Sequence, residues 1–386
     1  MIYYVGIDVA KFKHDFTVVT SNGEVVIEPT TFKNNDEGFT IIKDSLSKLD
    51  YSQEIKVGLE STGHYHKNLV NFLISLGYEV NVLNPFLVHK FIESRTLRKQ
   101  KTDSQDCGRI AKYLESEDYK AYQSKVYTNE SLKSLTRNRD KVIRSRSDQL
   151  VIVTNCLDRI FPEFKTYFSN ILSKTALCIL YEFNSAEAIS KITNAKMQSI
   201  KKKYKGLRLS KLFDLKDLAK ITIGTPNAQD SFVMKQAIRQ ILTYNEILKD
   251  YEEEIDKIMN SINSPLESIP GVGRKSAAAI IGEYNNFNGF ANADKLLAFA
   301  GLECSRYQSG QSDYHGKMVK RGSPHLRYVL MNLAISLKND NAVFRDYYLK
   351  KRDEGKKYRV ALNHVVRKFL RIAFKLVSTN QIFNID

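Results

Sequence analysis

The sequence predicts an α/β domain followed by a mostly helical remainder, from its length, composition and hydrophobic pattern. The chain has 386 residues, longer than one typical core, which indicates about two or three domains. Hydrophobic residues make up 42% of the chain, so most of it is expected to fold. Short apolar runs alternate with helical periodicity up to residue 125, and helical spacing dominates afterwards. We therefore predict domains over residues 1–125, 126–262 and 263–386.

The first 125 residues carry the α/β pattern. Two short apolar runs come first, and the turn sequence SNGE at residues 21–24 joins the second to a third. Predicted strands cover residues 3–7, 16–20, 25–32, 55–60 and 78–83, and predicted helices begin at Asp36, Tyr65 and Asp103. An antiparallel meander of three strands followed by alternating helices and strands is the ribonuclease H-like order. Such alternation also fits many doubly wound folds.

The middle of the chain is predicted to be helical. Two long, charged segments, residues 132–161 and 230–262, have apolar residues at helical spacing. A lysine-rich insert that includes KKKYK at residues 201–205 separates them. The two helices could form an antiparallel pair within the chain or an oligomerising coiled coil.

Residues 263–386 are predicted to form a compact helical domain. The segment IPGVGRKS at residues 269–276 is typical of a helix-hairpin-helix. Gly271 and Gly273 permit a tight turn, after which the backbone N–H groups at the start of the second helix face a phosphate. Lys275 adds positive charge there. Glycine-hinged helix pairs also occur without DNA, so the basic context is what favours a binding role.

The net charge of +16 is unevenly distributed. Residues 1–125 contain 16 Lys and Arg against 17 Asp and Glu, whereas the remainder contains 43 against 26. All of the excess therefore lies outside the first third of the chain. A basic surface of this extent favours polyphosphate partners through counterion release, although charge alone also suits a merely basic soluble protein.

Cysteine spacing and hydropathy exclude several classes of protein. The four cysteines lie far apart without a CxxC pair, which argues against a disulfide framework or a zinc knuckle. They are Cys107, Cys156, Cys178 and Cys304. We expect buried thiols in a reducing cytoplasm. No run of 18 apolar residues occurs, and the N-terminus is polar, so neither a membrane span nor a signal peptide is expected.

Four carboxylates stand out against this pattern. Asp8 and Glu60 each end an apolar strand, and those strands are neighbours in a ribonuclease H-like sheet. Asp103 and Asp106 are three residues apart and share one helix face. Taken singly, Asp8 could be a turn residue, Glu60 a solvated strand end and Asp103 a plain helix cap. Together they would repel each other unless Mg²⁺ or Mn²⁺ lay between them, and two such ions could support phosphodiester cleavage.

Three segments resemble a known family. GIDVAK at residues 6–11, GLESTG at 58–63 and KTDSQD at 101–106 are similar to segments of the DEDD-type insertion-sequence transposases, the IS110 family of bridge-RNA-guided recombinases. The resemblance spans nearly the whole chain and is weakest over residues 165–230. It implies a Holliday-junction-resolvase-like first domain whose metal site is formed by Asp8, Glu60, Asp103 and Asp106. Cys107 stands where the family commonly has alanine, a mild change for a buried position.

A serine nucleophile is implied by the resemblance alone. On local chemistry Ser309 is a turn serine, with Ser305 and Ser312 as equal candidates, because no His or Lys at a diagnostic spacing marks a nucleophile. The Ser-Gly pair, followed by KRG at residues 320–322, resembles the family's C-terminal transposase motif and implies Ser309. Because Glu303-Cys304 replaces a proline common in the family, Ser312 is the alternative.

Further basic and histidine residues have two interpretations each. Lys320, Arg321 and Arg327 are expected phosphate contacts, or else a solvated helix face. His64 and His66 follow Glu60 and could bind a metal, but polar groups at a helix start are the more usual explanation.

Together with this resemblance, the sequence predicts an enzyme that cuts and rejoins DNA by metal-assisted phosphoryl transfer, and the resemblance implies that a serine mediates it. A covalent link to serine conserves bond energy, so no nucleotide cofactor is needed, and no GxxxxGK[ST] motif is present. The resemblance further implies DNA element ends and target as partners, a structured guide RNA, a homo-oligomer (dimer or tetramer) and a nucleoid-associated cytoplasmic location. The alternatives are a Mg²⁺-dependent junction nuclease that uses water and a non-catalytic nucleic-acid-binding scaffold.

Overall fold

The computed structural model of the chain describes residues 1–61, 63–83, 85–95, 103–116, 126–203, 208–285, 287–309 and 312–384. The chain forms two compact units, residues 1–125 and 126–386. A further division of the second unit at residue 262 stays a prediction. No helix in the described ranges is long and apolar enough to cross a membrane.

A five-stranded sheet forms the centre of the first unit. Its strands are β1 (Ile2–Val9), β2 (Lys13–Thr20), β3 (Val25–Lys33), β4 (Glu54–Glu60) and β5 (Glu79–Leu83). Their order in the sheet is β3-β2-β1-β4-β5. Strand β2 is antiparallel to both β1 and β3, whereas β4 is parallel to β1 and β5. The predicted meander followed by helix–strand alternation is confirmed.

Helices cover both faces of this sheet. They are α1 (Asp36–Leu46), α2 (His66–Ser75), α3 (Pro85–Arg95) and α4 (Asp103–Ser116). One face packs against α1 and α2 through residues such as Ile42 and Leu69, which are fully buried. The other face packs against α3 and α4 through residues such as Val88 and Ile110. Helix α3 was not expected from the sequence, because its apolar residues do not keep to one helix face.

Two helices of 35 residues each, α5 (Val126–Ile160) and α11 (Ala228–Ile262), run through the second unit. Each is about 50 Å long at 1.5 Å per residue. Polar contacts between them pair Arg139 with Glu252, Arg146 with Asn245 and Arg159 with Asp230. One partner's number rises as the other's falls, so the helices are antiparallel. Of the two predicted arrangements, the chain forms the pair within itself.

The lysine-rich insert folds into a small helical lobe. Its helices are α6 (Glu163–Tyr167), α7 (Lys174–Glu182), α8 (Ala186–Ser190), α9 (Asn194–Lys203) and α10 (Leu209–Lys220). Phe164, Leu177 and Leu215 are fully buried in its core. That core also includes Leu157 of α5 and Ile238 of α11, so the lobe packs on one end of the long helix pair.

A second lobe packs around the other end of the pair. Its elements are α12 (Arg274–Tyr284), α13 (Ala293–Phe299), β6 (Cys304–Ser309), β7 (Ser312–Met318), α14 (Pro324–Asp340), α15 (Ala342–Asp353) and α16 (Tyr358–Thr379). Its core joins Phe344 and Phe369 to Leu132 of α5 and Met259 of α11.

This lobe is mostly helical, as predicted, but it also contains a two-stranded hairpin that the sequence does not predict. Strands β6 and β7 form an antiparallel hairpin over residues 304–318. Their sequences, CSRYQS and SDYHGKM, lack the apolar alternation that marks a half-buried strand, which is why the pattern gave no signal. The expected helix-hairpin-helix is also shortened, because its first helix is a four-residue 3-10 turn at Pro265–Ser268.

Candidate active site

Asp8 and Glu60 lie at the ends of neighbouring parallel strands. The register of β1 and β4 pairs Gly6 with Gly58 and Ile7 with Leu59, so the next residues of the two strands are Asp8 and Glu60. Both are half-buried. Because side chains alternate along a strand, Asp8 is on the same face as Gly6, and Glu60 on the same face as Gly58. The two carboxylates thus share one face of the sheet.

Helix α4 crosses this face at very short range. A Cβ atom at Gly6 would lie 2.5 Å from the backbone nitrogen of Ala111, and closer still to the carbonyl oxygen of Cys107. A Cβ atom at Gly58 would lie 3.0 Å from Leu114. Real side chains do not reach such distances to backbone, so only glycine at position 6 lets the helix approach. The approach brings the first half of α4 over the strands that carry Asp8 and Glu60.

The first turns of α4 hold the other two predicted carboxylates. Asp103 is the first residue of the helix, and its side chain lies outside the described residues. Asp106 is half-buried and forms an ion pair with Arg109, with 2.8 Å between carboxylate and guanidinium. This pair neutralises Asp106 locally. A divalent cation bound by Asp106 would compete with Arg109 for the same carboxylate.

One further carboxylate lies beside this group and was missed by the sequence analysis. Asp15 of β2 is the direct partner of Asp8 in the antiparallel register, is 8% exposed, and accepts a hydrogen bond from the hydroxyl of Thr31. Burial, followed by the negative charges of Asp15 and Asp8, raises the pKa of the Cys107 thiol to about 11. The thiol therefore stays protonated and senses a negative potential from both aspartates.

The donor chemistry here suits a hard divalent cation. Asp8, Glu60 and Asp106 offer only carboxylate oxygens, the ligands that Mg²⁺ and Mn²⁺ prefer. Among the side chains that the structure describes, no group of three or more His, Cys, Asp or Glu is placed to hold one ion. The convergence of all four predicted carboxylates stays a prediction.

The candidate serines lie on the β6–β7 hairpin. Ser309 ends β6 and is the register partner of Ser312 at the start of β7, so both stand at the same end of the hairpin. The side chains of Ser309 and Ser312 lie outside the described residues. Ser305 is at the opposite end of β6, where its hydroxyl packs so closely on Gly316 that a Cβ there would overlap it. Crowding against the partner strand disfavours Ser305 as a nucleophile.

The base of the hairpin is tightly fastened. The amide of Val319 donates to the carbonyl of Glu303 at 2.9 Å, just beyond the paired strands. Nη1 of Arg327 donates to the carbonyl of Ala300 at 3.2 Å and to that of Gly322 at 3.1 Å. Arg327 thus joins the segments that enter and leave the hairpin. The guanidinium predicted to contact phosphate is engaged, through this nitrogen, within the protein.

The other predicted nucleic-acid contacts differ in their surroundings. Gly271 has a φ of 92° and packs against Leu337 of α14, and Gly273 precedes the first residue of α12. Lys275 forms an ion pair with Glu252 at 2.9 Å. Lys320 and Arg321 are exposed in the loop after the hairpin.

The two predicted histidines stand at the start of α2. His66 is the first residue of the helix and is buried, and the ring of His64 lies 4.5 Å from that of Tyr65. Both positions agree with the interpretation as helix-start groups.

A buried charge network in the second unit was not predicted. The carboxylate of Glu283, whose side chain is 1% exposed, accepts from Arg137 at 2.5 and 2.9 Å and lies 3.1 Å from Nδ1 of His325. Nε2 of His325 lies 2.9 Å from Asp140. Hydrogen bonds to Asp140 and Glu283 raise the pKa of His325 to about 9. The network links α5, α12 and α14 at the start of the helix that follows the hairpin.

Comparison with known proteins decides the family. One family model, DEDD_Tnp_IS110, described as "Transposase", matches residues 5–162, which include the sheet and α4. A second, described as "Transposase IS116/IS110/IS902 family", matches residues 263–349, which include the hairpin. The chain belongs to the IS110 family of transposases. This transposase is therefore a DNA-recombining enzyme of the insertion-sequence type.

Relatives of this transposase cover most of its length at low identity. It is 22% identical to the "Insertion element IS116 uncharacterized 44.8 kDa protein" of Streptomyces clavuligerus, over 98% of this chain and 96% of that protein. It is 22% identical to the "Pilin gene-inverting protein" of Moraxella lacunata, over 99% and 97%. The "Transposase for insertion sequence element IS1111A" of Coxiella burnetii is 23% identical over 73% and 66%.

Proposed function

We propose that this transposase cuts and rejoins DNA by transferring a phosphodiester to and from Ser309, with Asp8, Glu60, Asp103 and Asp106 holding Mg²⁺ or Mn²⁺. The observation that carries the proposal is the placement of Asp8 and Glu60 side by side, on the sheet face that α4 covers. The strand order and the helices on both faces support a ribonuclease H-like, resolvase-like first domain.

The chain's own groups have distinct tasks in this reaction. The Ser309 oxygen attacks the phosphorus, loses its proton, and replaces one DNA oxygen, which leaves as the hydroxyl end of the cut strand. A second DNA hydroxyl then attacks the phosphoserine link and releases Ser309. Bound divalent metal would supply charge stabilisation to the phosphoryl group and to the attacking and leaving oxygens. The carboxylates position that charge, and the hairpin positions the serine.

The partners follow from the same proposal. The substrates are the element ends and their target, bound by the basic second unit, and a structured guide RNA selects them. Asp8 belongs to the first unit and Ser309 to the second, and we propose that they act together within a homo-oligomer, a dimer or tetramer, at the bacterial nucleoid. The excess of positive charge after residue 125 supports binding of both nucleic acids.

The test is cleavage by carboxylate variants. Asp8→Asn and Asp106→Asn should abolish Mg²⁺-dependent strand cleavage while nucleic-acid affinity stays within about twofold, because the basic surface is unchanged. Asp44→Asn, on the exposed side of α1, is the matched control and should cleave normally. Mn²⁺ titration monitored by electron paramagnetic resonance should show weaker Mn²⁺ binding in Asp8→Asn and Asp106→Asn, and unchanged binding in Asp44→Asn. Full recombination by either site variant refutes the metal site, and cleavage by Ser309→Ala would favour a water-using junction nuclease.

A further inference from the structure

A wide cleft lies between α13, the start of β6 and one face of α16. Its volume is about 690 Å³. One wall is formed by α16 and the turn before it, through Lys356, Val360, Asn363, His364, Arg367 and Arg371. These positions recur every three or four residues, so they form a single helix face. The opposite wall carries Asp294, Leu297, Glu303 and Cys304.

The α16 wall is strongly basic. Three of its lining residues, Lys356, Arg367 and Arg371, are cationic, and none is acidic. Within the described part of the chain, neither Lys356 nor Arg367 forms an ion pair with a carboxylate, and Arg371 is 3.7 Å from the exposed Asp294, a weak surface pair. Burial, followed by the positive charges of Lys351, Arg367 and Lys356, lowers the pKa of His364. The α16 wall therefore has a positive potential, which Asp294 and Glu303 on the opposite wall compensate only in part.

The arrangement of these charges identifies the type of ligand. A small anion is bound by cations that converge on one point. Here the cations follow the helix from Lys356 to Arg371, a length of about 22 Å at 1.5 Å per residue. Three cations spread over this length suit the repeated phosphates of a nucleic-acid backbone better than one small anion. The carboxylates of Asp294 and Glu303 on the facing wall would repel a backbone and keep it against α16.

We propose that this cleft binds the sugar–phosphate backbone of duplex DNA beside the phosphodiester that reacts at the hairpin. Cys304 lines the cleft and begins β6, whereas Ser309 ends the same strand. Five residues of strand span about 17 Å, so the cleft lies within about 17 Å of the proposed reacting phosphate. The location of the reaction rests on the proposed function, but the binding surface itself depends only on the cleft.

Cys304 provides a test in the unmodified protein. It is exposed, whereas Cys107 and Cys156 are buried and Cys178 is half-buried. Alkylation by a maleimide, followed by peptide mass spectrometry, should label Cys304, and a 20-base-pair DNA duplex in EDTA should protect it at least fivefold. Cys178 in the insert lobe is the internal control and should be labelled equally with and without DNA. Equal labelling of Cys304 in both conditions, at saturating DNA, overturns the proposal.

Charge variants supply the second test. The triple variant Lys356→Gln, Arg367→Gln, Arg371→Gln should lower the slope of log affinity against log salt by about 2 to 3, and duplex affinity at least tenfold. The matched control Lys220→Gln, Lys249→Gln, Lys257→Gln removes the same formal charge from lysines that pair with carboxylates on their own helices. It should lower the slope by less than 1. Equal losses in both triples, or a loss for single-stranded RNA with none for duplex DNA, contradict the cleft.

These outcomes are independent of catalysis, because EDTA prevents cleavage while binding is measured. Protection of Cys304 in EDTA, together with the absence of a protein–DNA adduct in a separate reaction with Mg²⁺, would sink the serine mechanism and support the cleft. If the triple variant binds duplex DNA as tightly as the natural chain and still forms an adduct at Ser309, the serine mechanism is supported and the cleft proposal fails.

Discussion

Gly6 of β1 lies directly beneath Cys107 of α4, so closely that a single added carbon would overlap the helix backbone. This contact sets the distance between the sheet and the helix, and hence between Asp8, two residues further along β1, and the first turns of α4. The spacing of the proposed metal site therefore depends on a residue without a side chain.

Gly6→Ala should displace α4 and weaken the site. Overpacking of this kind costs about 1–3 kcal/mol of unfolding free energy, and Mn²⁺ affinity should fall together with cleavage. The matched control is Gly108→Ala in α4, where an added Cβ meets nothing within 4 Å and helix propensity improves. Thermal unfolding and Mn²⁺ titration of both variants check the prediction. Normal metal affinity in Gly6→Ala would show that the approach of α4 does not shape the site.

Arg327→Gln should loosen the hairpin rather than reduce DNA affinity. Its Nη1 joins the carbonyls of Ala300 and Gly322, and losing a charged hydrogen-bond donor costs about 1.5–3 kcal/mol. Hydrogen–deuterium exchange over residues 304–318 should accelerate and strand transfer should fall, with an unchanged salt dependence of binding. Lys320→Gln, an exposed neighbour, should leave the exchange unaltered. If Arg327→Gln instead lowers the slope of log DNA affinity against log salt by about 1, with normal hydrogen–deuterium exchange, Arg327 contacts phosphate as the sequence predicts.

His325 should make the stability of this transposase depend on pH on the alkaline side. Hydrogen bonds to Asp140 and Glu283 raise its pKa from 6.5 to about 9, so the protonated ring stabilises the folded state. That contribution, at most about 3 kcal/mol, is complete below pH 6.5 and is lost as the pH rises through 9.

The corresponding measurement is the melting temperature from pH 6 to 10. The difference between the natural chain and His325→Gln should be largest at pH 6 and shrink towards pH 10. His64→Gln, at an exposed position, is the control and should give a small difference. A constant difference for His325→Gln would mean that the ring does not titrate in this range.

The pairing of Asp8 with Glu60 could be predicted because each ends an apolar run, and strand ends are visible in a sequence. Asp15 could not, because its place beside Asp8 depends on the register of the β1–β2 hairpin, and a one-residue slip would turn it to the other face. Glu283 does leave a signal in the sequence. It interrupts the apolar sequence AAAIIGEY of α12, and a carboxylate there requires buried partners.

In the second unit, the sequence pattern predicts the long helix pair but not the β6–β7 hairpin. The periodic pattern places both ends of α11 and the C-terminal end of α5 within about two residues of their observed positions. Helix α5 begins at Val126, earlier than the predicted start at residue 132. The β6–β7 hairpin was missed because cross-strand hydrogen bonds, rather than an apolar face, define it. The role of Arg327 was equally invisible, since its partners are backbone carbonyls whose positions no side-chain pattern records.

The most direct measurement of the central claim is the position of the covalent protein–DNA link. Reactions stalled on a nicked element-end substrate should contain a DNA-linked peptide, and mass spectrometry should place the link on Ser309. Ser309→Ala and Asp8→Asn should each remove it, because the serine and the proposed metal site act in one step. Ser305→Ala and Ser312→Ala should retain it. A link at Ser312, or normal strand transfer by Ser309→Ala, would contradict the account.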